Sequence, residues 1–391
     1  MILRRLSWLL VATAFVCAGC APKYTSDYKP DDPTGDAAPT DQPSLDVRPS
    51  PLPDGLRPRI EAAVQNARER DLLTTNGFWT VFHGILGLGP SVQLVDPLTH
   101  EKVNALDYIC SGRKLRGLEF VPSDLTENGL DVRTMIGSGI GQGHQDQFIA
   151  EMAQWGIARD RKFRVAGKDF TYMDFVRHTH MRASLTRNQE LSWAIVIIGQ
   201  YLGTDLAWTN GYGEKLHFED LLRYELDAPI NEQTTCGGTH RLFDLHWVYQ
   251  LHLQKGGRTE GIWKEIADNN DHYRDMAKKY QNADGSFSTD FLIGPGADPD
   301  KQRRINTTGH ILEWLSLSLS DADLRAPWVQ DAVNALCLMI LDLQSQPIEG
   351  GSLYHAVHGL LIYYARVYDA KTLGPPDLLI PRLQTPAVRQ K

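Results

Sequence analysis

The chain has 391 residues, a formal net charge of −8 and five cysteines. That length can bury a large core. The acidic balance, with no basic cluster, excludes nucleic acid as the expected partner. The chain contains no Gly-x-Ser-x-Gly elbow, P-loop or dinucleotide fingerprint, which argues against serine hydrolysis by that route and against nucleotide chemistry.

Arg4 and Arg5 give the N-terminus a short positive start, and an apolar stretch from Leu6 to Val16 leads to Cys17-Ala18-Gly19-Cys20. A charged start, an apolar run too short to span a bilayer and small residues at the end predict a secretory signal over 1–19. Ala18-Gly19-Cys20 resembles a bacterial lipobox, with Cys17 where that family usually has Leu. The resemblance implies that Cys20 becomes a lipidated N-terminus. The expected address is then the cell envelope, with the membrane as a partner through the lipid. Residues 20–56 hold eight prolines and almost no large aliphatics. Such a segment cannot bury enough apolar surface to fold, so it reads as a Pro-stiffened tether. Residues 57–373 follow as the folded domain, and 374–391 as a C-terminal tail. Cys110, Cys236 and Cys337 remain, enough for one disulfide at most.

Six segments of the domain share one layout: Gly or small polar residues, a polar first turn, then an apolar run. In chain order they begin at Asn76, Gly141, Asn188, Thr235, Thr307 and Gly350. Their bodies are largely uncharged, as expected of buried helices. Between them, Ile60 to Leu73, Tyr172 to Ala183, Phe218 to Leu226, Ile262 to Tyr280 and Trp328 to Leu343 mix apolar and charged residues at helical spacing. The pattern predicts an all-α fold, an (α/α)6 toroid of six inner and six outer helices. The alternative is a helical-hairpin solenoid. Residues 84–140 show no clear outer helix.

The turn Gln281-Asn282-Ala283-Asp284-Gly285-Ser286-Phe287 is similar to the Gln…Asp-Gly-Ser-Trp turn of the terpenoid cyclases and protein prenyltransferases, with Phe287 in the Trp place. Leu353-Tyr354-His355 resembles the Tyr-His helix that supplies a zinc ligand in prenyltransferases. This likeness, over about residues 57–370, implies the toroid fold. It carries over neither activity: Asp321-Ala322-Asp323-Leu324 is not the cyclase acid motif, and Thr234 stands where the prenyltransferase zinc site has Asp.

In a toroid the inner-helix N-termini gather at one mouth. His144, His240, His310 and His355 each fall near an expected helix start, and free N–H groups there favour anionic or hydroxyl-rich ligands. Glu151, Asp244 and Glu313 follow at helical spacing and could orient an imidazole on their own helix. The expected catalytic set is His240, His310, His355, Glu313 and Tyr354. His144, Asp244, Trp79, Trp314, His358 and Glu349 would line the ligand site. A polyhydroxylated or acidic ligand, such as a glycan, would be bound or processed by proton transfer with no cofactor. In the alternative, Cys236, His240 and His355 hold zinc, and the cavity serves isoprenoid chemistry. A third possibility is a non-catalytic envelope scaffold.

Overall fold

A computed structural model describes residues 41–42, 51–187, 189–368 and 373. The expected signal, Cys20, most of the tether and the C-terminal tail lie outside the described residues. Twelve α-helices occur among those described. In chain order they are α1 (Leu56–Arg68), α2 (Phe78–Leu88), α3 (Ala105–Cys110), α4 (Gln147–Gln154), α5 (Tyr172–Arg182), α6 (Ser192–Tyr201), α7 (Phe218–Asp227), α8 (Thr239–Gln254), α9 (Ile262–Lys279), α10 (Lys301–Ser318), α11 (Pro327–Asp342) and α12 (Gly350–Val367). None of the helices searched is long and apolar enough to cross a membrane.

The even-numbered helices pack on one another in the order α2, α4, α6, α8, α10 and α12, and α12 returns to α2. Burial explains their composition: α2, α6 and α12 are covered almost all round. Odd-numbered helices keep one wet face and pack against this set, α3 on α2, α5 on α6, α9 on α8 and α10, and α11 on α10 and α1. Local signals set the boundaries. Glu349 accepts from the Gly351 and Ser352 amides at 2.9 and 2.7 Å and so caps α12. Thr171 and Asp174 form a capping box on α5.

The fold is mostly helical, but among the described residues the connections also hold nine short strands in four small sheets, which the sequence reading did not foresee. The stretch that showed no clear outer helix contains β2 (Gln93–Val95), β3 (Lys102–Asn104), the one-and-a-half-turn α3, and the hairpin β4 (Phe120–Ser123) with β5 (Gly129–Val132). Two more hairpins, β6–β7 (Lys162–Val165 with Lys168–Thr171) and β8–β9 (Ala207–Thr209 with Lys215–His217), feed directly into α5 and α7.

The α10–α12 contact is the most intimate in the core because two glycines permit it. A Cβ on Gly359 would lie 2.8 Å from the Glu313 Cα, and one on Gly309 would lie 2.8 Å from the Ala356 Cβ. The turn that resembles the cyclase motif clips the α9–α10 connection to α11. Gln281 Nε2 donates to the carbonyls of Gly285 and Trp328, each at 2.7 Å.

Candidate metal centre

Five imidazoles from far-apart positions meet among the even-numbered helices. Ring centroids are 5.4 Å apart for His144 and His240, 5.1 Å for His240 and His310, 4.2 Å for His310 and His355, and 5.0 Å for His355 and His83. His83 and His355 sit on the second turns of α2 and α12, and His240 near the start of α8. His144 lies in the turn before α4. These four lie in or just before the first two turns of their helices. His310 does not. Helix α10 begins at Lys301, where Asp300 accepts from the Gln302 amide at 2.9 Å, so His310 projects from mid-helix. The charged turn Lys301-Gln302-Arg303-Arg304, ahead of the start expected at Thr307, is the first turn of that helix.

Four of these imidazoles are anchored through Nδ1. His83 donates to the Trp79 carbonyl at 2.7 Å, and His310 to the Asn306 carbonyl at 2.8 Å. His144 pairs with Glu190 at 2.7 Å, and His355 with Glu313 at 2.8 Å. A backbone carbonyl only accepts, so Nδ1 of His83 and His310 carries the proton and Nε2 is left with a lone pair. Neither ring nitrogen of His240 has a hydrogen-bond partner, although the residue is buried. An unpartnered buried imidazole beside converging nitrogens is costly without a cation or proton to share.

The carboxylates do not serve the histidines of their own helices, as expected from spacing. Residues three or four apart share a face and both project toward a neighbour, so Glu313 and Glu151 each meet another helix instead. Glu313 of α10 holds His355 and His358 of α12, and Glu151 of α4 approaches Nε2 of His83 of α2 at 3.6 Å. Gln147 completes that corner, with its amide 3.2 Å from His83 Nε2 and 3.0 Å from Glu151. Asp244 is fully buried, both its oxygens are without partners, and it pairs with no histidine.

Cys236 does not lie on α8, so it and His240 are not two faces of one helical turn. It sits in a turn of three consecutive left-handed residues, Cys236, Gly237 and Gly238, at φ of 49°, 59° and 78°. Such a run in a non-glycine residue stores strain and is typical of positions held for function. The turn brings the Cys236 thiol to the imidazoles of His144 and His240, with the three donor atoms within 4.8 Å of one another. All three described cysteines are free.

Burial alone would raise the Cys236 thiol, but the facing imidazoles of His240, His310 and His144 hold it well below its ordinary value. Burial disfavours charge on His144, yet Glu190 and Cys236 outweigh it and raise His144 to about 10. Burial lowers His355 to about 4 despite Glu313. Desolvation drives Glu151 and Asp244 well above the carboxylate range, and neighbouring acids add to both.

Among the described residues, three sets of donors lie close enough to share an ion: His144 with Cys236 and His240; His240 with His310 and His355; and His83 with Glu151 and His355. These clusters could hold a metal. The second includes two residues of the expected zinc set, His240 and His355, and the first includes Cys236. His83, Gln147 and Glu190 were not singled out from sequence. His83 could have been, since it stands in the first of the six similar segments.

Other expected residues sit around the centre or outside it. Trp79 lies against His83 at 4.1 Å between centroids and donates to Glu349 at 2.7 Å. His358 touches the centre only through Glu313. Trp314 turns outward and donates to Asn270 of α9 at 2.8 Å. Tyr354 packs against Gly87 of α2 and feels Arg70, and its hydroxyl finds no partner. Trp193 flanks His240 at 4.7 Å. On this side of the cluster, Cys236 is half-buried and the Glu190 side chain is 19% exposed, which marks the approach from solvent. A separate pocket of about 290 Å³, lined by Arg68, Arg70, Leu88 and Lys102 among others, includes none of the cluster residues.

No protein-family model, curated protein or solved structure matches the chain.

Proposed function

We propose that this chain is an exported, lipid-anchored (α/α)6 toroid whose axis holds a divalent transition metal, zinc being the ion its donors suit best. The cyclic contact order of the even-numbered helices supports the toroid, and the lipobox-like Ala18-Gly19-Cys20 supports the anchor. One observation carries the metal reading. The Nδ1 atoms of His83, His144, His310 and His355 are each committed to an oxygen outside the cluster. That is how proteins fix the tautomer and aim of metal-binding imidazoles. Imidazole, thiolate and carboxylate together fit zinc.

A bound zinc would polarise a ligand oxygen or activate a water. Trp79 and Trp193 beside the histidines suit a polar, hydroxyl-bearing ligand such as a glycan. The polar axis, with Asp244, Glu151 and Gln147 buried along it, gives little support to an isoprenoid chain. Elemental analysis of the purified chain after zinc exposure and exhaustive dialysis tests the proposal. Tightly held zinc is expected, and its loss in a His240→Ala/His310→Ala variant that keeps its helical circular dichroism. Zinc-free wild-type protein would refute it.

A second reading has its own observation. Thiol, imidazole and carboxylate stand in the order Cys236, His144, Glu190, the arrangement of a cysteine nucleophile with its base and orienting acid. Iodoacetamide separates the two. A nucleophile would alkylate rapidly at neutral pH with or without zinc, whereas a ligand would be protected by it.

A further inference from the structure

We propose that the centre takes two divalent cations, an outer one on His144, Cys236 and His240 and an inner one on His83, Glu151 and His355. This rests on the metal reading and deepens it. The two sets share no residue, and within each the three donor atoms lie within 4.8 Å of one another. Three protein ligands suffice for a zinc that keeps an open position. The donors do not merge into one larger set. Zinc bonds of about 2.0–2.3 Å place all ligands of one ion within roughly 4.5 Å of each other, so a single ion would leave one triple unused.

His310 stands between the sets, its ring 5.1 Å from His240 and 4.2 Å from His355. It can complete either ion or lie between both.

Each set would bring one anionic ligand of its own when an ion is bound, the Cys236 sulfur to the outer ion and the Glu151 carboxylate to the inner one. Each set also contains a buried donor lacking a partner, both nitrogens of His240 in the outer and Glu151 Oε2 in the inner. The inner set is the more enclosed, with His83 and Glu151 fully buried, while Cys236 of the outer set is half-buried. The outer ion would therefore meet solvent and ligand, and the inner one would sit behind it.

The full chain, purified in detergent and stripped with a chelator, is titrated with zinc chloride, and bound zinc is counted by plasma mass spectrometry. The wild type should hold two equivalents. Glu151→Gln and His83→Gln should each hold one, as should Cys236→Ser. If Glu151→Gln fails to keep its helical spectrum, His83→Gln carries the inner-site comparison. Wild-type saturation at one equivalent overturns this inference and leaves the metal reading standing. No bound zinc overturns both. Two equivalents retained in every variant would overturn the assignment of ligands.

Discussion

Glu313 on α10 accepts the Nδ1 protons of both His355 and His358 on α12, at 2.8 and 2.5 Å. One carboxylate thus fixes two imidazoles of the neighbouring helix. Burial would push this acid up, but the two histidines hold it well below the carboxylate range. Glu313→Gln keeps an accepting oxygen for only one of them. Zinc affinity should fall roughly 10–100-fold, the usual loss when an orienting partner is removed. Glu313→Ala should in addition cost about 3–5 kcal/mol in urea unfolding, as breaking buried charged pairs does.

The glycine behind Glu313 gives a test in which packing and propensity oppose. Gly359→Ala should gain about 0.5–1 kcal/mol from helix propensity. The added Cβ, however, would meet the Glu313 Cα at 2.8 Å, where backbone must shift. Overpacking of that kind costs about 1–3 kcal/mol. Net destabilisation is expected by thermal melting, together with weaker zinc binding. A stabilised variant would show that α10 and α12 are not in close contact there.

The strained turn before α8 should be equally intolerant. At Gly237 φ is 59°, and a Cβ would lie 2.2 Å from the Phe291 Cγ. Gly237→Ala should displace Cys236, abolish its place in the outer zinc set and cost about 1–2 kcal/mol for the left-handed backbone alone. Adding Phe291→Gly, which removes both the ring and the Cβ that would lie 2.3 Å away, should restore part of the zinc binding, since neighbouring substitutions couple. Equal losses in the single and double variants would show that the clash is not the cause.

His246 offers a pH test away from the centre. It is buried on α8, its Nε2 lies 3.0 Å from Gln250 Nε2, and burial with nearby Arg274 and Arg366 holds its pKa well below 6.5. A histidine with a depressed folded pKa contributes stability that is present above the unfolded value and lost as pH falls below it. From pH 6.5 downward this one group should remove up to about 1.4 kcal/mol per pH unit until its folded pKa is reached. His246→Asn should flatten that part of the profile in urea unfolding followed from pH 7 to 5. Parallel profiles for the two proteins would contradict it.

The buried helices were legible because burial all round leaves a plain mark in sequence, and His144, His240 and His355 because small residues precede a histidine at or near their helix starts, whereas His310 meets them from the middle of α10. The hairpins were not. Strands of three or four residues are too short to show alternation. Their best signal was the Ala166-Gly167 pair, where both residues take positive φ, 48° and 84°, in a two-residue turn. The partners of the histidines were hidden for another reason. Glu190 and Glu151 act across helices, and spacing along one helix says nothing of which neighbour a side chain will meet. Tyr354 and Trp314 had the right helices but the wrong faces, and only packing decides that.

Diffraction at the zinc absorption edge from crystals soaked in zinc chloride tests the central claim most directly. Anomalous peaks are predicted among the even-numbered helices, about 2.0–2.3 Å from donor atoms of His240 and its neighbours. Zinc-saturated crystals whose only peaks lie on surface carboxylates, with none at the histidines, would contradict it.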